Sequence, residues 1–188
     1  MDPFSTLKDA SAGFAALMSE ISDDQWDNPS CGDWPVSELV RHVIAGDAMA
    51  VDLVGGASSE DALEVLTGTD LDDDPMSQFT STAHTMLGVF REPGNMERIV
   101  HHPMGDMPAA QVLGFRVGEA ALHGWDLARA IDADDTLDPG VVQSVWDAMA
   151  PAKDMLGSLG IFGAGPSGTI AEDAPLQVRL LDLSGRRL

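Results

Sequence analysis

The segment AAQVLGFRVGEAALHGWDLARAI, residues 109–131, predicts a long helix, which we expect to run over about 108–132. At about 100° per residue, one side of this helix is apolar and carries Leu113, Val117, Ala120, Ala121, Gly124, Ala128 and Ile131. The adjacent strip is polar, at spacings of three and four, and consists of Arg116, Glu119, His123 and Asp126. Beyond it lie Phe115 and Leu122, which are apolar again. A polar strip between apolar ones is not an ordinary solvated face, so we expect it to line a pocket or the interior of a bundle.

The same periodicity predicts further helices on both sides of this segment. We expect them over 4–21, from Trp34-Pro35 to Gly55-Gly56, over 75–91, from Asp138-Pro139 to about Gly157, and briefly within 175–188. The connecting segments are expected to be an acidic surface loop with at most one helical turn (57–75), an extended excursion (96–108) and a second loop (158–169). Long amphipathic helices with little strand signal predict an all-α bundle, in a single domain over 1–188 with short extra C-terminal helices.

Composition excludes several classes of function. The chain has 188 residues with 31 acidic and 10 basic side chains, a formal charge of −21, which argues against nucleic acid or an anionic membrane as partner. No stretch approaches the roughly 20 apolar residues of a membrane span. The start, MDPFSTLKDASAGF, has no cationic, apolar signal region, so we expect a soluble, cytoplasmic protein. The lone Cys31 rules out an intrachain disulfide and a multi-cysteine zinc site, and we interpret it as structural.

Glu119 and His123 form an E-x-x-x-H pattern, in which both side chains lie one turn apart on one helical edge and can reach a common ion. Many helices carry such a pair at their surface, so the spacing alone leaves a surface pair open as an alternative. A metal site also needs a third ligand from another helix. From its own surroundings, His42 in the second helix is better interpreted as a hydrogen-bonded core histidine. The other histidines are expected at the surface (His84) and in a loop (His101 and His102).

Two segments together carry a family resemblance. NPSCGDWPVSELVRHVIAGD (28–47) followed by GEAALHGWDLARAI (118–131) resembles the DinB-like metalloenzyme superfamily, in the branch that contains the N-terminal domain of mycothiol-dependent maleylpyruvate isomerase. PLQVRLLDLSGR (175–186) is also similar to the closing segment of stand-alone members. The sequence departs from the family in two ways: the isomerase has an additional C-terminal domain, and Pro35 stands where relatives often have threonine or serine.

The resemblance implies a four-helix bundle that holds one divalent metal ion, usually zinc, through two histidines and, in this branch, a glutamate. Carried over to this sequence, the ligands are His42, Glu119 and His123. Three protein ligands leave open positions on the ion, which is the catalytic pattern. Nickel and iron remain alternatives to zinc. Bundles of this kind often dimerise, so a homodimer is also expected.

The resemblance further implies a low-molecular-weight thiol such as mycothiol as cofactor and a small electrophile as substrate. The thiol would be deprotonated by the ion, and its sulfur would then attack the electrophile, as in S-transfer, or would add across a double bond and leave after rotation, as in cis–trans isomerisation. Two other classes of function stay open. The same ligand set suits a thiol-independent metal hydrolase or an iron oxygenase, and a non-catalytic bundle could serve as a binding module.

Four more side chains are candidates for roles near such an ion. Asp126 could orient a ligand or accept a substrate proton, or else form a salt bridge with Arg129. Arg116 is expected to pair with Glu119, with contact to a carboxylate-bearing ligand as the alternative. Asp47 projects into the apolar face of the second helix, where it either caps a polar pocket or shows that the helix is turned otherwise. Trp125 projects away from the polar strip and is expected in the core.

Overall fold

The computed structural model describes residues 2–156 and 165–187. Backbone contacts divide the chain into two compact units, Asp2–Thr136 and Leu137–Leu188. The expected loop at 158–169 and the expected helix end at Gly157 lie partly outside the described residues. The single domain over 1–188 stays a prediction.

The first unit is built around four long helices. Its helices are α1 (Pro3–Met18), α2 (Val36–Gly55), α3 (Ser59–Gly68), α4 (Pro75–Arg91) and α5 (Ala109–Ala130). Helix α1 packs against α5 and α4, and α2 packs against α4 and α5, so these four form a bundle. This architecture confirms the predicted all-α four-helix bundle.

The ends of the bundle helices follow local chemistry. At α1, the Asp2 side chain accepts a hydrogen bond from the Ser5 backbone amide, and Pro3 occupies the first turn, where its missing N–H costs nothing. Helix α2 begins directly after Pro35 and is capped after Gly55 by Gly56, whose φ of 100° is the left-handed conformation that follows many helices. The predicted ends at residues 21 and 132 are too late by three and two residues, because helix ends depend on local caps.

The core fills the space between the four helices with apolar side chains. The central cluster consists of Phe14, Met18, Val36, Leu39, Val40, Val43, Ile44, Phe79, Leu127 and Ile131. The rings of Phe14 and Phe79 are 5.3 Å apart between α1 and α4. Each such side chain stabilises the fold by roughly 1.5–3 kcal/mol when it leaves water. Because the cluster contains side chains of both α2 and α5, its packing determines which faces of these two helices meet.

Helix α3 corrects the expectation of an irregular loop over 57–75. Ser58 and Asp61 cap each other reciprocally at its start, a pattern that satisfies two backbone donors. Only Ala62 of its ten residues is buried, so the segment has almost no apolar periodicity to read from the sequence. Arg41 of α2 donates hydrogen bonds to the carbonyls of Leu66 and Thr69 and ties the helix end to the bundle.

The expected extended excursion between α4 and α5 is confirmed as a hairpin. Strands β1 (Ile99–His102) and β2 (Gly105–Pro108) pair antiparallel, with Val100 opposite Met107. Gly105 has a φ of 116°, which a side chain would disfavour, so glycine suits this turn.

The second unit contains α6 (Pro139–Met149), a 3-10 turn (Ala150–Ala152), α7 (Lys153–Leu156) and α8 (Leu176–Leu183). The single helix expected from Pro139 to about Gly157 is interrupted at Pro151, which has no amide hydrogen for the helical ladder. The predicted terminal helix is confirmed as α8, which packs against α6 with Arg179 over the Trp146 ring. Within the described residues, no helix is long and apolar enough to cross a membrane.

Candidate metal centre

The three side chains that the resemblance implies as ligands meet between α2 and α5. His42 comes from α2, and Glu119 and His123 come from consecutive turns of α5. Nε2 of His42 and Nε2 of His123 each lie 3.1 Å from the same oxygen, Oε2 of Glu119. One ligand atom from each residue lies within 4.8 Å of the others, a spacing that a single ion could span.

The three side chains are open to solvent to different degrees. The exposed fraction is 34 % for Glu119, 21 % for His42 and 12 % for His123. The carboxylate is thus reached from solvent, whereas the second histidine is held deep against the bundle. Such a gradient suits a site that admits an ion and a small molecule from one side.

The charges of the group support one another. Burial alone would raise the pKa of Glu119, but hydrogen bonds from His123 and His42 and the charges of His123 and Arg116 hold that pKa well below its usual range. Burial alone would lower the pKa of His123, but its hydrogen bonds with Asp126, Cys31 and Glu119 raise that pKa well above its usual value. Carboxylate and imidazole therefore stabilise each other's charged forms.

Asp126 lies on the other side of the His123 ring. Its Oδ2 is 3.0 Å from Nδ1 of His123, and both side chains are largely buried. A carboxylate at Nδ1 favours a proton on that nitrogen and leaves Nε2 to face Glu119. The alternative partner, Arg129, bonds Asp135 and lies over the Trp125 ring instead. As expected, Trp125 is buried.

Arg116 lies next to this group but has a different partner from the one expected. Its Nε donates to Oδ1 of Asp47 at 2.8 Å, and its Nη2 donates to the carbonyl of Val43 at 2.9 Å. Both charged side chains are almost completely buried. Burial raises the pKa of Asp47 although Arg116 lowers it. The buried Asp47 on α2 is thus paired with an arginine from α5, and the helix is not turned away.

Two residues before α2 also belong to the site, and sequence reasoning did not place them there. The Trp34 ring lies 4.8 Å from the His42 ring and 6.1 Å from the His123 ring, measured between centroids. Cys31 joins His123 and Asp126 in a second group whose ligand atoms lie within 4.8 Å of one another.

The loop that carries these two residues is tied to the end of α5. Gln25 donates to the carbonyl of Ile131, and Asn28 donates to the carbonyl of Ala130. These bonds connect residues more than 100 positions apart in the chain. No spacing rule could have placed Cys31 and Trp34 at the site, although both fall within the quoted segment 28–47.

The remaining histidines lie elsewhere. His84 is exposed on α4, as expected. His101 is exposed on the hairpin, with Nδ1 2.8 Å from Oδ1 of Asp106. His102 accepts a hydrogen bond from the Met104 amide, and its ring packs against Phe115. Among the described residues, none of these three belongs to a group that could hold a metal ion.

Comparisons with known proteins identify the family of this chain. Residues 7–128 match the model of the family described as the mycothiol maleylpyruvate isomerase N-terminal domain. The chain is also 27 % identical over 180 residues to an uncharacterized protein of Mycobacterium tuberculosis, matched in two strains, with 93 % of this chain and 89 % of that protein covered.

Solved structures share the fold. The crystal structure of the mycothiol-dependent maleylpyruvate isomerase is similar with a TM-score of 0.66 and 17 % identity, over 88 % of this chain and 72 % of that one. A histidine-to-alanine mutant of that isomerase gives a TM-score of 0.63 and 15 % identity over the same shares. At these identities the structural likeness shows the fold alone.

Proposed function

We propose a function for this chain, which belongs to the family of the mycothiol maleylpyruvate isomerase N-terminal domain. It is a metal-dependent enzyme that uses a low-molecular-weight thiol of the mycothiol type. The sulfur of the thiol would attack a small electrophile, as in S-transfer, or would add to a double bond of that electrophile and leave after rotation, as in cis–trans isomerisation. The ligands of the ion would be His42, Glu119 and His123.

One observation carries this proposal: two imidazole nitrogens point at a single carboxylate oxygen. Nε2 of His42 and Nε2 of His123 are both 3.1 Å from Oε2 of Glu119. With Asp126 at Nδ1 of His123, a neutral His123 ring would turn a lone pair towards the carboxylate. Such an arrangement needs either an extra proton or a cation. A divalent cation satisfies all three groups at once.

The donor set fits zinc, nickel or iron, because imidazole and carboxylate are ordinary ligands of each. When bound, such an ion would lower the pKa of a coordinated thiol and so make it a nucleophile at neutral pH. Three ligands from the chain leave room for that thiol.

The chain's own residues would hold and shape the site. Asp126 would keep the His123 ring in one orientation through Nδ1, and its carboxylate is also a candidate to accept a substrate proton. Trp34 lies against both histidine rings and would form an apolar wall beside the thiol. Arg116 is bonded to Asp47 and Val43, so its guanidinium would act on the site through the helices and not by touching substrate.

The test begins with elemental analysis of untagged protein. We expect one divalent ion per chain in the wild type, and loss of that ion in both His123→Ala and Glu119→Ala. His101→Ala removes an exposed histidine with a similar carboxylate contact and is the matched control, which should keep the ion. The metal-loaded protein is then assayed with thiols and electrophiles, and turnover should require the thiol.

Each contrary result indicates a different function. Turnover without any thiol would contradict the proposal and would indicate a hydrolase that uses water as nucleophile with the same metal ligands. Iron in the site would indicate an oxygenase. No metal in a folded wild-type protein would indicate a non-catalytic binding module. A homodimer and a cytoplasmic location stay predictions.

A further inference from the structure

The buried ion pair between Arg116 and Asp47 joins the same two helices as the metal ligands. We propose that Arg116, Asp47 and Gly46 form a clamp between α2 and α5 that positions His42 against Glu119 and His123. These three residues are called the α2–α5 clamp below. The inference rests on the proposed metal site and assigns its positioning residues.

The clamp holds α2 at two points. Arg116 Nε donates to the Asp47 carboxylate at 2.8 Å, and Nη2 donates to the Val43 carbonyl at 2.9 Å. Val43 directly follows His42, and Arg116 stands three residues before Glu119 on α5. A single guanidinium thus bonds both a side chain and the backbone of α2 beside the proposed ligand. This one side chain therefore adds directed bonds to the core packing that sets the position of His42 relative to α5.

Gly46 makes this close approach possible. A Cβ added at that position would lie 2.6 Å from Cζ of Arg116 and 2.8 Å from Nη2, much closer than atoms can pack. The guanidinium therefore lies directly on the surface of α2, where any other residue would displace it. A glycine in a helix interior is otherwise unfavourable, so its position under Arg116 has a structural reason.

A buried ion pair is a poor source of stability but a good source of geometry. Removing two charges from water costs about as much as their attraction returns, and apolar pairs of similar volume often stabilise a protein equally well or better. Apolar side chains, however, can slide, whereas the hydrogen bonds of a guanidinium fix direction and distance. Metal ligands must be placed to within about 0.2 Å. The clamp supplies that accuracy between two helices that each contribute ligands.

The clamp also removes an electrostatic conflict. The positive charge of Arg116 stands about one helical turn before Glu119 on α5. An unpaired arginine at this distance would repel a divalent cation held by the same carboxylate. Asp47 offsets that charge within hydrogen-bonding distance, so the positive side chain can stay beside the site.

The test separates positioning from general stability. The double variant Arg116→Met with Asp47→Leu removes both buried charges together. With both proteins metal-free, its thermal unfolding midpoint should equal or exceed that of the wild type. Its affinity for Zn²⁺, measured by competition with a chelator, should fall about tenfold, as when groups that orient metal ligands are removed. The visible absorption of bound Co²⁺ should change too, since it reports ligand geometry.

Two further variants keep the test decisive. Arg116→Lys retains the charge but not the planar fork that reaches Asp47 and Val43 together, so we expect a smaller loss of affinity. Arg129→Met removes an exposed ion pair from the same helix and should bind Zn²⁺ as the wild type does. If the double variant does not fold, Arg116→Lys decides.

The outcomes distinguish the clamp from the proposed function. A wild type that binds neither Zn²⁺ nor Co²⁺ overturns the proposed function. Wild-type affinity and spectrum in the folded variants overturn the clamp and leave the function intact. An equal loss in Arg129→Met, or a loss of affinity that only follows a lower unfolding midpoint, also overturns it, because the effect would then be unspecific.

Discussion

Two aspartate–histidine pairs in this protein make the same contact in different surroundings. Asp126 Oδ2 is 3.0 Å from Nδ1 of His123, and Asp106 Oδ1 is 2.8 Å from Nδ1 of His101. The first pair is on α5, with exposed fractions of 12 % for the histidine and 5 % for the aspartate. The second is on the hairpin, where the corresponding values are 59 % and 66 %.

The two pairs differ on the far side of the imidazole ring. Nε2 of His123 faces Oε2 of Glu119, and Nε2 of His42 on α2 lies 3.1 Å from the same oxygen. Among the described residues, His101 belongs to no group of three that could hold an ion. An exposed pair of this kind contributes only about 0–1 kcal/mol to stability. The shorter distance thus belongs to the exposed pair. Buried side chains that meet at one atom therefore indicate a site better than the length of any single contact.

The largest effect is expected from removing the point of convergence. Glu119→Gln keeps the shape of the side chain but removes the negative charge that both histidines share. Zn²⁺ affinity should fall by more than the roughly 100-fold that loss of an outer hydrogen-bond partner costs. Competition titration measures this effect. Near wild-type affinity would place the ion elsewhere, on the second group with Cys31 for example.

A smaller effect is expected from the buried aspartate. Asp126→Asn leaves the three proposed ligands in place but weakens the hold on Nδ1 of His123. We expect about 10- to 100-fold weaker Zn²⁺ binding, because such partners set ring orientation and ligand basicity. The same titration on the same preparation compares it directly with Glu119→Gln. An unchanged affinity would show that the deep pair is no more than structural.

Trp34 tests how far the surroundings of the rings matter. Trp34→Ala removes the ring that lies against His42 and should weaken Zn²⁺ binding by about two- to tenfold, since an aromatic pair contributes about 0.5–1.5 kcal/mol. Trp34→Phe keeps a ring and should lose less. Binding of Ni²⁺ should quench the tryptophan fluorescence of the wild type more than that of Trp34→Phe, because the Trp34 indole lies beside the proposed ligands. Equal quenching would contradict that position.

The smallest effect is expected at the exposed pair. Asp106→Asn should change the free energy of unfolding by at most about 1 kcal/mol and leave Zn²⁺ affinity unchanged. Denaturant unfolding measures the first quantity and competition titration the second. A loss of affinity comparable to that of Asp126→Asn would erase the difference between the two pairs.

Most of the fold was predictable from the sequence, because the bundle helices have clear apolar periodicity. The sequence predicts an extended excursion over 96–108, and the structure shows that this excursion is a hairpin. Helix α3 was missed, since its start depends on the reciprocal cap of Ser58 and Asp61 and only Ala62 is buried. The break at Pro151 was missed as well, although proline is a known interruption of helices.

The site was predictable only in part. Residues on one helix have fixed relations, so the facing of Glu119 and His123 followed from a spacing of four. The expectation that Arg116 pairs with Glu119 was wrong. Glu119 is its neighbour on α5, but the guanidinium of Arg116 bonds Asp47 on α2. Cys31 could not be placed, since its loop reaches the site through bonds to the end of α5.

The sequence by itself determined where the four bundle helices lie, which face of each is apolar, and that α5 carries a carboxylate and an imidazole one turn apart. These are local properties, governed by the period of the helix. Only the tertiary structure decided that His42, 77 residues before Glu119, meets Oε2 of that side chain, that the Trp34 ring lies against His42, and that Asp47 pairs with Arg116. The physical reason is that the rotation of α2 about its axis depends on how the whole core packs, and no spacing within one helix encodes that rotation.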